Sequence, residues 1–527
     1  MTCSVLAPNC SKGNRLNTAD TVGAQLPELI EALLQPHRYP GKVQSVQLVQ
    51  THISWVLLTG EFAYKIKKPV RLPFLDFSTL ALRKKYCDEE LRLNKRFSID
   101  LYLEVVGIFN SQQEPWFTGP GLPIEYAVKL RQFDPTSRLD RVCQRGELQP
   151  THLSDLAESL VTFHTNANRA PADSRFGSIP QVMAPTLETL QDLSTYLPQA
   201  ETQSRLMVLQ TWFERQFKQH SILIVGRKNA GFVRECHGDL HLENLVLIDQ
   251  HVHMFDCIEF NEDLRWIDVA SEIALTYVDL IAHARPGLAT WFVNEVCART
   301  GDYQAMLIMR IYSVYRALVR AKVAAIQSQQ FHQNDANALA YVSLAEELVK
   351  PQELQLIITH GLSGCGKTTE SNFLLQNDSS ARTIRLRSDT ERQRLPRLPE
   401  MYGINASPDT GMYAPNIGVQ TYQRLLELAE VLLQAGWSVI VDATFLKQAD
   451  RTSFHALAVR ANSQFSILAP KAAPDELRER ILRRQASATD ASEATLEVLA
   501  HQLQVIEPLT QRECTFLRTA DAARNRS

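Results

Sequence analysis

Residues 237–256 read HGDLHLENLVLIDQHVHMFD, and the order of polar and apolar residues in them decides the architecture of the first half of the chain. Two short apolar runs, LVLI and VHMF, flank the polar residues DQH. Such runs across a short polar break predict a hairpin. A hairpin returns its two ends to one place. Asn244, just before the first strand, and Asp256, just after the second, are therefore expected side by side. An amide oxygen and a carboxylate so paired suit Mg²⁺, which takes oxygen ligands and keeps waters and substrate phosphates. Asp239 precedes Asn244 in the loop and is free to face a substrate hydroxyl.

Toward the N-terminus, residues 43–72 are β-rich, with a turn signal at Thr59-Gly60-Glu61, and predict antiparallel strands. Within them YKIKKPV offers Lys65, Lys67 and Lys68. Alternation puts Lys65 and Lys67 on one face. Together with the HGDLHLEN loop, this stretch resembles the lysine strand of protein-kinase-like phosphotransferases, and the resemblance implies that Lys65, or as second choice Lys67, holds ATP phosphates. The next stretch, STLALRKKYCDEELRLNKRF, predicts a long helix with Ser78 as N-cap. The same resemblance implies a helix glutamate that holds the lysine, and of Glu89 and Glu90 the preferred one is Glu90. YLEVVGIF and IEYAVKLRQF return to strands, and from about Thr151 the pattern is helical except around the opening stretch.

A second signal lies at residues 361–368, GLSGCGKT, a complete GxxxxGK[ST] between the apolar run LQLIITH and the helical TTESNFLLQ. Gly361, Gly364 and Gly366 let the backbone curl so that amides of the loop, from Leu362, Ser363 and Cys365 through Thr369, face phosphate oxygens. Lys367 would reach the β- and γ-phosphates and Thr368 would ligate Mg²⁺. Short strands (TIRLRS, SVIVDA, FSILAP) then alternate with helices, which predicts a doubly wound parallel sheet with helices on both faces. Asp389 stands at a strand end, placed to take a proton from an acceptor hydroxyl, with Arg392 one helical turn on and placed for acceptor phosphate or carboxylate. Asp442 ends SVIVDATF at a metal-shell position, with Thr444 and Arg451 following as groups near the acceptor. DELRERILRRQ supplies Arg480, Arg483 and Arg484 as lid candidates.

The chain has 527 residues, more than one core normally serves, and Pro351 marks the break. The expected division is a loose tail over 1–23, a kinase-like domain over 24–348 (an N-lobe to about 135, a C-lobe from about 136), a linker over 349–353 and a P-loop domain over 354–527. The formal net charge of −3 argues against a general nucleic-acid surface. Nine scattered cysteines with no CxxC pair suit a reducing, cytoplasmic setting. No apolar run reaches membrane-spanning length, so no membrane partner is expected.

The first half resembles the aminoglycoside phosphotransferase branch of the protein-kinase-like enzymes, whose loop reads HxDxxxxN. His237, Asp239 and Asn244 match it, Asp256 stands where the metal-binding aspartate belongs, and Asp268 in WIDVASEIA resembles the following structural aspartate. That resemblance implies a bilobal kinase-like fold, ATP, Mg²⁺ and Asp239 as catalytic base; His241 reads as structural. No GxGxxG precedes the lysine strand, as in that branch. Residues 354–518 resemble the small P-loop kinases that include phage polynucleotide kinase, zeta toxins and gluconate kinase. The order of parts resembles a bacterial fusion family of the two. These resemblances imply two transfers of an ATP γ-phosphoryl group to hydroxyls of small molecules. The other expectations kept open are a nucleic-acid-end or nucleotide-sugar kinase in the P-loop half, and an ATP-binding sensor that governs the first half.

Overall fold

The structure, a computed structural model, describes residues 26–72, 75–330, 332–395, 417–487 and 495–518, without the side chains of 484–487. The expected tail over 1–23 and the side chain of Arg484 lie outside the described residues. The chain divides into two compact units, Met1–Asp279 with Ile311–Glu346, and Leu280–Arg310 with Glu347–Ser527.

In the first unit, an antiparallel sheet runs in the order Gln47–Gln50, Ser54–Leu58, Phe62–Lys67, Glu125–Arg131, Tyr102–Asn110, Pro115–Trp116. The turn at Gly60 has a φ of +99°, a conformation that glycine adopts without cost. Helix Leu80–Asn94 follows, and its N-cap is Thr79, whose hydroxyl accepts from Leu82 N at 3.2 Å. The expected cap, Ser78, instead bonds Asp76 through both its amide and its hydroxyl. Cys87 and Leu93 bury one side of this helix. Helices Pro150–Asn166, Ile179–Tyr196 and Ala200–Asn229 lead to the opening stretch. There Leu245–Ile248 pairs antiparallel with His251–Met254, and Asp249 and Gln250 both take left-handed φ in the turn. Two successive positive φ values match the twist of the flanking strands.

The second unit holds a parallel sheet in the order Thr383–Arg387, Ser438–Asp442, Gln355–Thr359, Gln464–Leu468. Its strands are continuous apolar runs because both faces are covered; Leu356, Ile358, Val439 and Val441 are fully buried. Helices Lys367–Gln376, Ile417–Gln434 and Gln448–Arg460 make the crossovers.

The single break expected near Lys350 is only half of the division, because residues 280–310 belong to the P-loop unit. Helix Pro286–Thr300 explains why. Its Asn294 donates to Thr383 O at 2.8 Å and accepts from Arg385 N at 2.6 Å, supplying the edge strand with the bonds a further strand would give. Trp291 packs on the core of Ile357, Leu375, Ile440 and Leu468, and the Trp437 indole donates to Met306 O at 2.9 Å.

Candidate active sites

The first site assembles around strand Phe62–Lys67. Lys65 Nζ lies 2.7 Å from Glu90 Oε1 and 2.5 Å from Asp256 Oδ1. Lys67 Nζ lies 2.6 Å from Glu90 Oε2 and also pairs with Glu259. Alternation thus put both lysines on the face that meets Glu90, and they differ in surroundings. Lys65 and Asp256 line one cavity of ≈50 Å³ together with Tyr102 and Phe133. Lys67 is fully buried, with its ammonium over the Phe77 ring.

The hairpin does what its pattern required. Leu245 pairs with Met254, and Phe255 N donates to Asn244 O at 3.0 Å, which brings Asn244 beside the segment that carries Asp256. Asp256 has a φ of +63°, a region an aspartate tolerates better than most residues, and its amide donates to the Tyr102 hydroxyl at 3.0 Å. Asn244 Nδ2 donates to Asp239 O at 2.9 Å. Asn244 Oδ1 and Asp256 Oδ2 are buried with no protein partner. Two unpartnered buried oxygens are the donor set a hard cation takes, so these residues fit Mg²⁺. Burial pushes the Asp256 carboxyl up, and Lys65 only partly offsets this because Glu90 also stands close. Burial would likewise raise Asp239, but His241, 3.4 Å away, holds its carboxyl well below the ordinary range. His241 also caps its own turn, Nδ1 accepting from Glu243 N at 3.2 Å.

The sequence reading missed what holds the loop. On helix Val269–Ala282, Glu272 accepts from Gly238 N at 2.7 Å, Thr276 donates to Leu240 O at 2.6 Å, and Asp279 accepts from Leu242 N at 2.8 Å. Spacing of i, i+4 and i+7 puts all three on one helix face. The signal was present in ASEIALTYVD as Glu272, Thr276 and Asp279 at that spacing in a largely apolar run. His164 Nε2 meets the other Glu272 oxygen at 2.6 Å, and His237 Nε2 meets Phe255 O at 2.8 Å. Asp268 is structural, paired with Arg227 at 2.8 Å.

In the second site, Gly361, Gly364 and Gly366 all have positive φ. A Cβ on Gly361 would come within 2.8 Å of Cys365 Sγ. Lys367 Nζ donates to Gly361 O at 3.0 Å and Leu362 O at 2.7 Å. The side chains of Leu362 and Cys365 pack with Leu477, Ile481 and Leu499, so these residues offer only backbone to a ligand. Lys367, Thr368, Thr369, Asp389, Arg392 and Asp442 line one crevice of ≈260 Å³. Asp442, 6% exposed, accepts from Ser371 Oγ at 3.2 Å. A threonine hydroxyl and a carboxylate at the mouth of one polar crevice fit Mg²⁺ here too. Asp389 pairs with Arg392. Gln502, not anticipated, bonds Ser363 twice, accepting from its amide at 2.8 Å and donating to its hydroxyl at 3.0 Å.

The lid and acceptor arginines divide. Arg480 donates to Gly364 O at 3.1 Å and stands at the loop. Arg483 pairs with Glu479 at 2.6 Å, and its side chain is 77% exposed, outside the crevice. Arg451 corrects the expectation of an acceptor-binding role. It is 1% exposed and fully engaged, donating to Phe445 O at 3.0 Å, to Glu513 at 2.7 Å and to the carbonyls of Glu507 and Pro508.

Residues 356–509 match the family model described as AAA domain. An uncharacterised protein of Mycobacterium tuberculosis, Rv2004c, is 27% identical over 456 residues, 86% of this chain and 89% of that protein. Among solved structures, a choline/ethanolamine kinase family protein from Mesorhizobium loti is 11% identical, with a TM-score of 0.38, over 61% of this chain and 93% of that one. An aminoglycoside phosphotransferase from Alicyclobacillus acidocaldarius is 12% identical, with a TM-score of 0.37, over 63% and 95%. The residues matched by the family model lie within the second compact unit, the one that carries the GxxxxGK[ST] loop. No described helix is long and apolar enough to cross a membrane.

Proposed function

We propose that this chain is a bifunctional ATP- and Mg²⁺-dependent phosphotransferase, each unit moving the γ-phosphoryl group of ATP to a hydroxyl of a small-molecule acceptor. One observation carries the reading most. Asn244 and Asp256 present unpartnered buried oxygens, and Asn244 Nδ2 donates to Asp239 O at 2.9 Å and lies 3.3 Å from its carboxylate. In the first site Lys65 holds the phosphates, Glu90 orients Lys65, Asp239 accepts the acceptor proton, and Asn244 with Asp256 holds the metal. Magnesium, when bound, screens the charge of the transferring phosphoryl group. In the second site Lys367 and the loop amides bind the phosphates, Asp389 accepts the proton, and Thr368 with Asp442 holds the metal.

Three arginines of the stretch after the P-loop give no support to a polynucleotide acceptor. Arg382 donates to the carbonyls of Glu347, Leu348 and Lys350, Arg385 to Ser371 and Asn372, and Arg394 pairs with Glu391. Those cations are committed to the fold rather than to a phosphate track.

The test is a screen of hydroxyl metabolites with ATP, following ADP release and acceptor phosphorylation by the full chain, Asp239→Asn and Lys367→Ala. Two activities, each lost in a different variant, support the reading. A Lys367→Ala protein that loses both points to a P-loop unit governing the first.

A further inference from the structure

Thr444 lies two residues beyond Asp442 in a turn that the fold holds against its own preference. The next residue, Phe445, has a φ of +46° and is fully buried. Left-handed backbone is a true outlier for a bulky side chain, and such strain persists only where the surroundings over-determine it. Here they do. Gly361 N donates to Thr444 O at 3.0 Å. Phe445 N donates to the Tyr422 hydroxyl at 2.8 Å. Phe445 O meets His360 Nδ1 at 3.0 Å and accepts from Arg451 at 3.0 Å. The Phe445 ring packs edge-on against Tyr422 and Phe454.

What this effort presents is the Thr444 side chain. It is partly exposed, lines the same crevice as Lys367, Thr368 and Asp389, and keeps its hydroxyl 3.3 Å from that of Tyr422. Its position along the nucleotide follows from two bonds. Gly361 N binds Thr444 O, and Gly361 O accepts from the Lys367 ammonium. The P-loop lysine serves the β- and γ-phosphates. With phosphates held by Lys367, Thr444 would stand toward the γ end of the triphosphate rather than the base or ribose.

We propose that Thr444 is a catalytic residue of the second site, its hydroxyl donating a hydrogen bond to the transferring γ-phosphoryl group; this rests on the phosphotransferase reading of the P-loop unit. The acceptor oxygen bonds to phosphorus as the bond to the ADP oxygen breaks, and the acceptor proton passes to Asp389. Thr444 exchanges no proton; it stabilises charge on an equatorial oxygen, an effect that preorganised donors supply at no reorganisation cost. Arg451 and Tyr422 are positioning residues for it. This gives the buried Arg451 a functional reason to be where it is.

Binding of ADP with Mg²⁺ and aluminium fluoride, a mimic of the transferring phosphoryl group, tests the assignment without knowing the acceptor. In the full chain, the ADP trapped by aluminium fluoride in wild type but not in Lys367→Ala defines the P-loop site. Thr444→Val, which keeps shape and loses the hydroxyl, should weaken that trapped complex tenfold or more while ADP alone binds within twofold and Tm is unchanged. Thr444→Ser should restore most of the trapping. Equal trapping by Thr444→Val and wild type overturns the role of Thr444 alone. If Lys367→Ala removes none of the trapped ADP, the P-loop phosphotransfer reading falls, and the proposal with it.

Discussion

Lys65 and Lys367 are asked to do similar work and are held in opposite ways. Lys65 sits between two carboxylates beside a cavity of ≈50 Å³. Lys367 donates to two backbone carbonyls at a crevice of ≈260 Å³. In the first site, two lysines, Lys65 and Lys67, face three carboxyl groups, Glu90, Asp256 and Glu259, all buried, and burial pushes the Asp256 carboxyl up. A bound cation would favour its charged form. In the second site the backbone itself is the receptor, through curled amides and a helix N-terminus. On the proposed reading, ligand binding is coupled to fold stability in the first site and not in the second.

Replacing each lysine tests that difference most strongly. Lys65→Ala leaves the buried Asp256 without its lysine and Glu90 with Lys67 alone, which should cost about 3–5 kcal/mol of stability in addition to the first activity. Lys367→Ala should abolish nucleotide binding at the P-loop with little change in Tm. Denaturant unfolding of both variants decides; equal stability losses would erase the contrast.

Within the first site, Asp239→Asn keeps shape but cannot accept a proton. Turnover there should fall ~10²-fold or more with ATP binding spared, the usual contribution of a general base. Because His241 holds Asp239 below the ordinary carboxylate range, the base stays ionised through neutral pH, and its titration should not shape the rate between about pH 6 and 8. An acidic limb within that range that moves with His241→Asn would show otherwise.

Smaller effects separate supports from sites. Thr276→Val removes the hydrogen bond to Leu240 O and should cost about 0.5–1.5 kcal/mol, with first-site turnover reduced and P-loop activity untouched. Asn294→Ala should instead destabilise the P-loop unit by a similar amount, and a fragment of residues 352–527, lacking that helix altogether, should unfold more easily than one that retains it. Hydrogen exchange at strand Thr383–Arg387 reads this directly.

The Arg451–Glu513 pair predicts an acid-sensitive joint in the second unit. Burial raises the Glu513 carboxyl, but Arg451 and Thr510 outweigh it and hold it at about 2, below its ordinary 4.5. A depressed carboxylate stabilises the fold above its unfolded pKa, so this contribution is complete above about 4.5 and lost as pH falls toward about 2. Arg451→Met should flatten that limb of the stability profile. Smallest of all, Arg483→Ala should change stability by under about 0.5 kcal/mol and leave both activities alone, since its partner is an exposed Glu479.

What the sequence determined by itself was encoded within short reach along the chain. The hairpin that joins Asn244 to Asp256, the pairing of Lys65 and Lys67 on one face, and the glycine curl around Lys367 each follow from a period or a turn spanning at most some 20 residues. Tertiary structure alone decided the rest, because those choices rest on partners far apart in the chain. Asn294 serves a strand 89 residues on, Glu272 meets Gly238 from 34 residues away, and Arg451 is claimed by Glu513 62 residues later. A buried guanidinium and a substrate-binding one look alike in a sequence. Which it becomes depends on whether the fold brings a carboxylate and open carbonyls to it before a ligand can.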